Sequence, residues 1–156
     1  MGMHRTSKRA LVLVGDEGPF LHHLSDIMES GGYPVRLALT ASRALVESAR
    51  PDVGGVVLEL GAAKLQSVEV ALGLRKRPGA PEMIALSSMP NVGQHCASLG
   101  IQHHLSQPFR VAELFALLER VVPPWPMAAS STTRQVLSSI LRPITRSSAL
   151  PRQATR

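Results

Sequence analysis

The chain has 156 residues, 44% of them hydrophobic, 18% charged and 3% aromatic, and a formal net charge of +6. That length fits one domain of about 100–150 residues with some chain to spare, and the apolar content excludes wholesale disorder. No apolar run approaches the roughly 20 residues of a bilayer span; the single cysteine, Cys96, excludes a disulfide framework or a multi-thiolate metal site; and so few aromatics exclude a base-stacking platform.

The chain alternates between short apolar runs and helical periodicity. Ala10–Val14 reads as a strand that breaks into the loop Gly15-Asp16-Glu17-Gly18. Phe20, Leu21, Leu24, Ile27 and Met28 then recur at helical spacing, and Gly31-Gly32 ends that helix. Residues 35–39 form a second strand. Thr40 is a suitable N-cap for the next helix, which Pro51 keeps from continuing. Val53–Leu60 contains a buried third strand, followed by a helix over 65–77. Glu82–Ser87 is a fourth strand, 90–99 a helix closed by Gly100, 101–105 a fifth strand and 110–122 a last helix.

Five strand-then-helix units imply a parallel sheet covered on both faces. Right-handed crossovers leave few topologies, and the expected fold class is α/β, a flavodoxin-like (βα)5 doubly wound sheet of strand order 2-1-3-4-5. Ligands of such sheets bind outside the carboxyl ends of the strands. Here those ends are Gly15-Asp16-Glu17, Glu59-Leu60-Gly61, Ser87-Ser88 and Ser106-Gln107-Pro108.

The domain is expected over 9–122, with a basic tail over 123–156. The tail opens on Pro123-Pro124-Trp125-Pro126 and carries Arg134, Arg142, Arg146, Arg152 and Arg156 with no acid. Residues 1–122 keep twelve basic and eleven acidic side chains, so the high isoelectric point is attributed to the tail. A short amphipathic helix around 132–142 would place Val136, Leu137, Ile140 and Leu141 on one side, and would need a docking surface to persist.

In order and spacing these features resemble the receiver domain of two-component response regulators over 9–122. The matching stretches are Leu11-Val12-Leu13-Val14-Gly15-Asp16-Glu17, Pro51-Asp52 with Val57-Leu58-Glu59-Leu60, Ile84-Ala85-Leu86-Ser87-Ser88, and Leu105-Ser106-Gln107-Pro108-Phe109. The resemblance implies a phosphoryl group passed from a histidine kinase to an aspartate ending the third strand. It also implies two acids after the first strand that help hold Mg²⁺, a hydroxyl ending the fourth strand, and a lysine before the proline after the fifth. Glu59 stands at the phosphoacceptor position, Asp16 at the second acid and Gly15 at the first. Ser87 is the hydroxyl, Gly61 the residue offering a carbonyl to the metal, and Gln107 takes the place of the lysine. Ala63 and Ser67 replace the usual Pro and Gly of the following loop.

These departures act on one step. Mg²⁺ requires near-octahedral oxygen ligation, Gln107 cannot neutralise an oxyanion, and Glu59 carries its carboxylate about 1.5 Å further out than Asp would. The reading is a degenerate receiver, a pseudo-receiver: not an enzyme, without cofactor, and with weak or absent Mg²⁺ binding at Asp16, Glu59 and Gly61. Its partners are expected to be proteins, a histidine kinase or another signalling protein, rather than nucleic acid or membrane, in the cytoplasm. The alternatives are a working receiver that accepts phosphoryl groups at Glu59 with Mg²⁺, and an adaptor whose basic tail binds an acidic partner. His104 occupies the switch-aromatic position of the fifth strand and is expected to be a partly exposed strand residue. The pairs His22-His23 and His103-His104 lack metal-site spacing, and Cys96 is expected as a buried thiol.

Overall fold

The computed structural model describes residues 8–61 and 65–122. The tail and the 132–142 helix expected from sequence therefore lie outside the described residues, as does Ala63. The elements are β1 (Ala10–Val14), α1 (Pro19–Ser30), β2 (Val35–Ala38), α2 (Ala41–Ser48), β3 (Val53–Leu60), α3 (Leu65–Arg75), β4 (Glu82–Ser87), α4 (Val92–Leu99), β5 (His103–Ser106) and α5 (Val111–Val121). All five strands are parallel, in the order β2-β1-β3-β4-β5. This is the flavodoxin-like (βα)5 arrangement expected from the alternation of elements.

Strand side chains alternate between two faces, and each face builds its own core. Leu11, Leu13, Val57, Ile84 and Leu86 meet Leu21, Leu24 and Met28 of α1 and Leu114, Phe115 and Leu118 of α5. Val12, Val14, Val56, Leu58 and Ala85 meet Ala44 of α2, Val70 and Leu74 of α3, and Val92 and Cys96 of α4. The central strands are apolar on both faces, so β1 is buried along its whole length.

Local chemistry sets the ends. Thr40 Oγ1 accepts the backbone N–H of Arg43 at 3.2 Å and caps α2. Glu113 accepts the N–H of Arg110 at 2.9 Å at the start of α5. Gly100, at φ 78°, ends α4 in the left-handed region. That turn also corrects the start of β5. The N–H of Ile101 is still bonded to Cys96 O at 2.9 Å, so pairing with β4 begins only at Ile84 opposite His103. Likewise α3 stops at Arg75 and not Arg77, because the N–H of Arg77 closes a turn onto Leu74 O.

Candidate functional site at the carboxyl ends of the strands

Register brings the candidate residues to one edge of the sheet. Val14 pairs with Leu58, so the next residues, Gly15 and Glu59, are neighbours where β1 leaves the sheet, one residue before the end of β3. The fit is tight: a Cβ on Gly15 would lie 2.9 Å from Glu59 Oε1 and 2.8 Å from Leu21 Cδ1. The longer side chain of Glu59 thus fills the space beside the position where the receiver pattern has its first acid. Ser67, fully buried on α3, donates its hydroxyl to the carbonyl of Glu59 at 2.8 Å and pins the end of β3. Asp16 is exposed and accepts from Gln66 Nε2 at 3.2 Å. Neither carboxylate is free.

Glu59 also lines an open cavity of about 550 Å³ between α1 and the β5–α5 segment. Its walls are mostly apolar, including Phe20, Leu24, Ile27 and Phe109, and its polar members besides Glu59 are His23, Ser88 and Gln107. Asp16 is not part of this lining, so the two acids face different neighbours. Gln107 is held at the crevice by its N–H bond to Ser87 O at 2.7 Å and precedes a cis peptide to Pro108.

The hydroxyl of Ser87 is buried and accepts the N–H of Met89 at 3.0 Å, closing a local turn. The side chain that reaches the cavity is that of Ser88, because successive residues at a strand end point opposite ways. His104 is exposed, with its ring beside Gly93 in the first turn of α4: a Cβ there would be 3.7 Å from His104 Cε1. His22 is engaged with Glu17 at 2.7 Å and His103 with Glu82 at 3.4 Å. Cys96 is buried, which raises its thiol pKa.

The described residues offer a divalent cation two carboxylates, Asp16 and Glu59, and the Gly61 carbonyl, and no group of three or more His, Cys, Asp or Glu side chains gathers among them. The set is one acid short of the pattern that the resemblance implies. Glu59 packs beside the position of the missing acid without replacing Asp16's partner charge. The donors do not fit that pattern.

Comparisons with solved structures agree with this topology. The chain is similar to the receiver domain of a sensor histidine kinase from Pseudomonas aeruginosa that has magnesium in its active-site cleft. The two share 21% identity at a TM-score of 0.64, over 73% of this chain and 97% of that one. Chemotaxis protein CheY4 of Vibrio cholerae gives 18% identity and a TM-score of 0.61, over 72% of this chain and 97% of that one. The chain has the CheY-like receiver fold. The site lies at the carboxyl ends of the strands, where a doubly wound sheet of this order places its crevice.

No family model matches the chain. Among curated proteins it is 26% identical over 129 residues to the acid tolerance regulatory proteins ActR of Rhizobium meliloti and Sinorhizobium medicae. It spans 66% of the length of each of these relatives, and the match takes in 78% of this chain.

Sequence reasoning named Glu59, Asp16, Ser87, His104 and Gln107 as candidate positions. It quoted Ser88 only beside Ser87, set His23 aside with His22, passed over Gln66, and noted Ser67 only as a departure. Ser88 was legible in principle, since strand alternation makes either of two adjacent serines the one that faces the crevice. Gln66 carries no signal in sequence, because its bond to Asp16 crosses from α3 to the β1–α1 loop.

Proposed function

We propose that this chain is a signalling module of the two-component type that acts through protein–protein contacts, with its phosphoacceptor chemistry degraded. The observation that carries the reading is the packing of Glu59 beside Gly15. Phosphoryl transfer to a carboxylate depends on positioning and on neutralising charge on the transferred group. Here the nucleophile position holds a side chain drawn toward the place of a missing acid. The lysine position holds an uncharged Gln107, and the Ser87 hydroxyl accepts a bond from its own loop. Each alteration weakens the same step, and groups acting as a unit fail together.

What remains is a rigid α/β scaffold with a mostly apolar cavity at the crevice and His104 exposed beside α4. These surfaces suit a protein partner in the cytoplasm, a histidine kinase or another component of the same relay. The names of the curated relatives, regulatory proteins in both cases, are consistent with a regulatory role. The test is phosphorylation by acetyl phosphate and by histidine kinases with labelled ATP. The unmodified chain is expected to take no label, and Gly15→Asp, Glu59→Asp and Gln107→Lys together are expected to restore some, while each alone does not. Robust labelling of the unmodified chain that Glu59→Gln abolishes overturns the reading in favour of a working receiver.

A further inference from the structure

A second constellation lies at the β2 edge, on α2, away from the crevice. Glu47 is buried, its side chain 6% exposed, and three guanidinium groups converge on its carboxylate. Arg50 Nε lies 2.8 Å from Oε1, Arg36 Nε 3.5 Å from Oε1 and Arg43 Nε 3.3 Å from Oε2. Helix spacing brings Arg43, one turn before Glu47, onto its face; Arg50 follows in the turn after α2, where its N–H bonds Glu47 O at 3.1 Å, and Arg36 comes from the adjacent strand. Arg36 is further fixed by a two-pronged bond to Asp52, at 3.2 Å and 2.9 Å.

The balance of charge is lopsided. A buried carboxylate requires one partner, and this one has three; with Asp52 included, three guanidinium groups face two carboxylates, an excess of one positive charge. In all three the closest approach is through Nε, and among the described residues Glu47 is the only acid within ion-pair reach of Arg43 or Arg50. Both are more than half exposed. Arg36, Leu37, Arg43, Glu47 and Arg50 line a recess of about 400 Å³. A neighbouring recess of about 200 Å³ shares Arg50 and adds Lys8 and Arg77 with no acid. Arg77 is itself held across α2, donating to Leu45 O at 3.3 Å and Ser48 Oγ at 3.2 Å.

We propose that the recess framed by Arg36, Arg43 and Arg50 over Glu47 is a binding site for a small phosphoryl anion of the di- or triphosphate type. Glu47 acts as a hub that orders the guanidinium groups before the ligand arrives, so less side-chain freedom is lost on binding. The fork of Arg36 is taken by Asp52, so Arg43 and Arg50 supply the planar guanidinium forks, which match the tetrahedral oxygens of a phosphoryl group in pairs as a lysine ammonium cannot. The volume lies within the range of about 300–1,000 Å³ of small-ligand pockets. No aromatic ring lines either recess, so recognition rests on the phosphoryl oxygens and not on a stacked base. Lys8 and Arg77 extend the positive charge beyond the first recess, which suits an anion of two or three linked phosphoryl groups. This site is independent of the reading of Glu59.

The probe is inorganic pyrophosphate, titrated into the ¹⁵N-labelled full chain at fixed ionic strength, with acetate as a parallel carboxylate probe. The expected result is a saturable shift of the Nε–H signals of Arg36, Arg43 and Arg50, with half-saturation in the millimolar range or below and no comparable response to acetate. Arg43→Lys with Arg50→Lys keeps the partners of Glu47 and the charge but removes two forks; it should weaken binding about tenfold, a factor equal to about 1.4 kcal/mol. Arg43→Gln with Arg50→Gln should abolish saturation. The absence of a saturable shift, an equal response to acetate, unchanged affinity in the lysine variant, or shifts that persist in the glutamine variant through the tail arginines would each overturn the proposal.

Discussion

Returning an acid to position 15 tests the central contact of the crevice. In Gly15→Asp the new Cβ meets Leu21 Cδ1 at 2.8 Å and Glu59 Oε1 at 2.9 Å, against about 3.5–4.0 Å for unstrained carbon contacts. Both obstructing atoms are ends of side chains and can move, so the steric cost falls within the roughly 1–3 kcal/mol of overpacking. The new carboxylate then faces that of Glu59. Two like charges about 4 Å apart are worth nominally ~4 kcal/mol at an effective dielectric of 20, and the partial exposure of Glu59 reduces this to about 1–2 kcal/mol. The single variant should lose about 2–5 kcal/mol. Glu59→Asp withdraws the neighbouring carboxylate by one C–C bond, about 1.5 Å, and should recover about 1–2 kcal/mol of that loss when combined with Gly15→Asp. Urea unfolding of the four proteins at pH 7.5 reads this directly, because a slope of about 1–3 kcal/mol/M turns such losses into midpoint shifts of about 1 M or more. Additivity of the two substitutions within about 0.5 kcal/mol would refute the contact as the reason that positions 15 and 59 differ together from the receiver pattern.

Tyr33 is 1% exposed, and its hydroxyl has no hydrogen-bond partner among the described residues, so Tyr33→Phe removes a desolvated group and should stabilise the domain by about 1 kcal/mol; a fall in thermal midpoint would contradict this. Burial, more than the nearby Glu119, holds the phenol of Tyr33 well above its ordinary pKa, so this group should stay neutral in spectroscopic titration until the domain unfolds in base. The hydrogen bonds from Arg36 hold Asp52 below the ordinary carboxylate range. A depressed folded-state pKa stabilises above the unfolded value of about 3.9 and stops doing so as pH falls through the folded value. Asp52→Asn should therefore cost up to about 1 kcal/mol at pH 7, with the difference from the parent closing in acid; a gap that stays constant from pH 7 to pH 2 would contradict the linkage.

The order of strands was legible because β1 and β3 are apolar on both faces while the helices carry a 3.6-residue stripe, and only one common parallel topology suits five such units. Boundaries were less legible where a turn borrows residues from the following strand. Ile101 is apolar and buried, yet its N–H serves the end of α4 and not the sheet. At the site, sequence supplied the positions but not the directions of side chains. It placed Ser87 at the crevice, where geometry turns that hydroxyl to Met89 and presents Ser88 to the cavity. It treated Gly15 and Glu59 as two separate losses, and only packing shows that one occupies the room beside the other. The near-neutral total for 1–122 likewise hid the convergence of Arg36, Arg43 and Arg50 on one buried acid.

The two faces of the sheet differ in sign. The described residues of α1 include Asp26 and Glu29 and no lysine or arginine, and α5 adds Glu113 and Glu119 against Arg120. Across the sheet, Arg43 on α2 and Arg50 just after it stand against Glu47, and Arg75, Lys76 and Arg77 at the end of α3 stand against Glu69. The domain therefore has a transverse electric moment that its summed charge conceals. An approaching charged partner is turned before it touches, and the preferred approach reverses with the sign of that partner. Raising the salt concentration shortens the reach of this steering to a few ångströms, so the selection of a docking face becomes a matter of ionic strength as well as of shape.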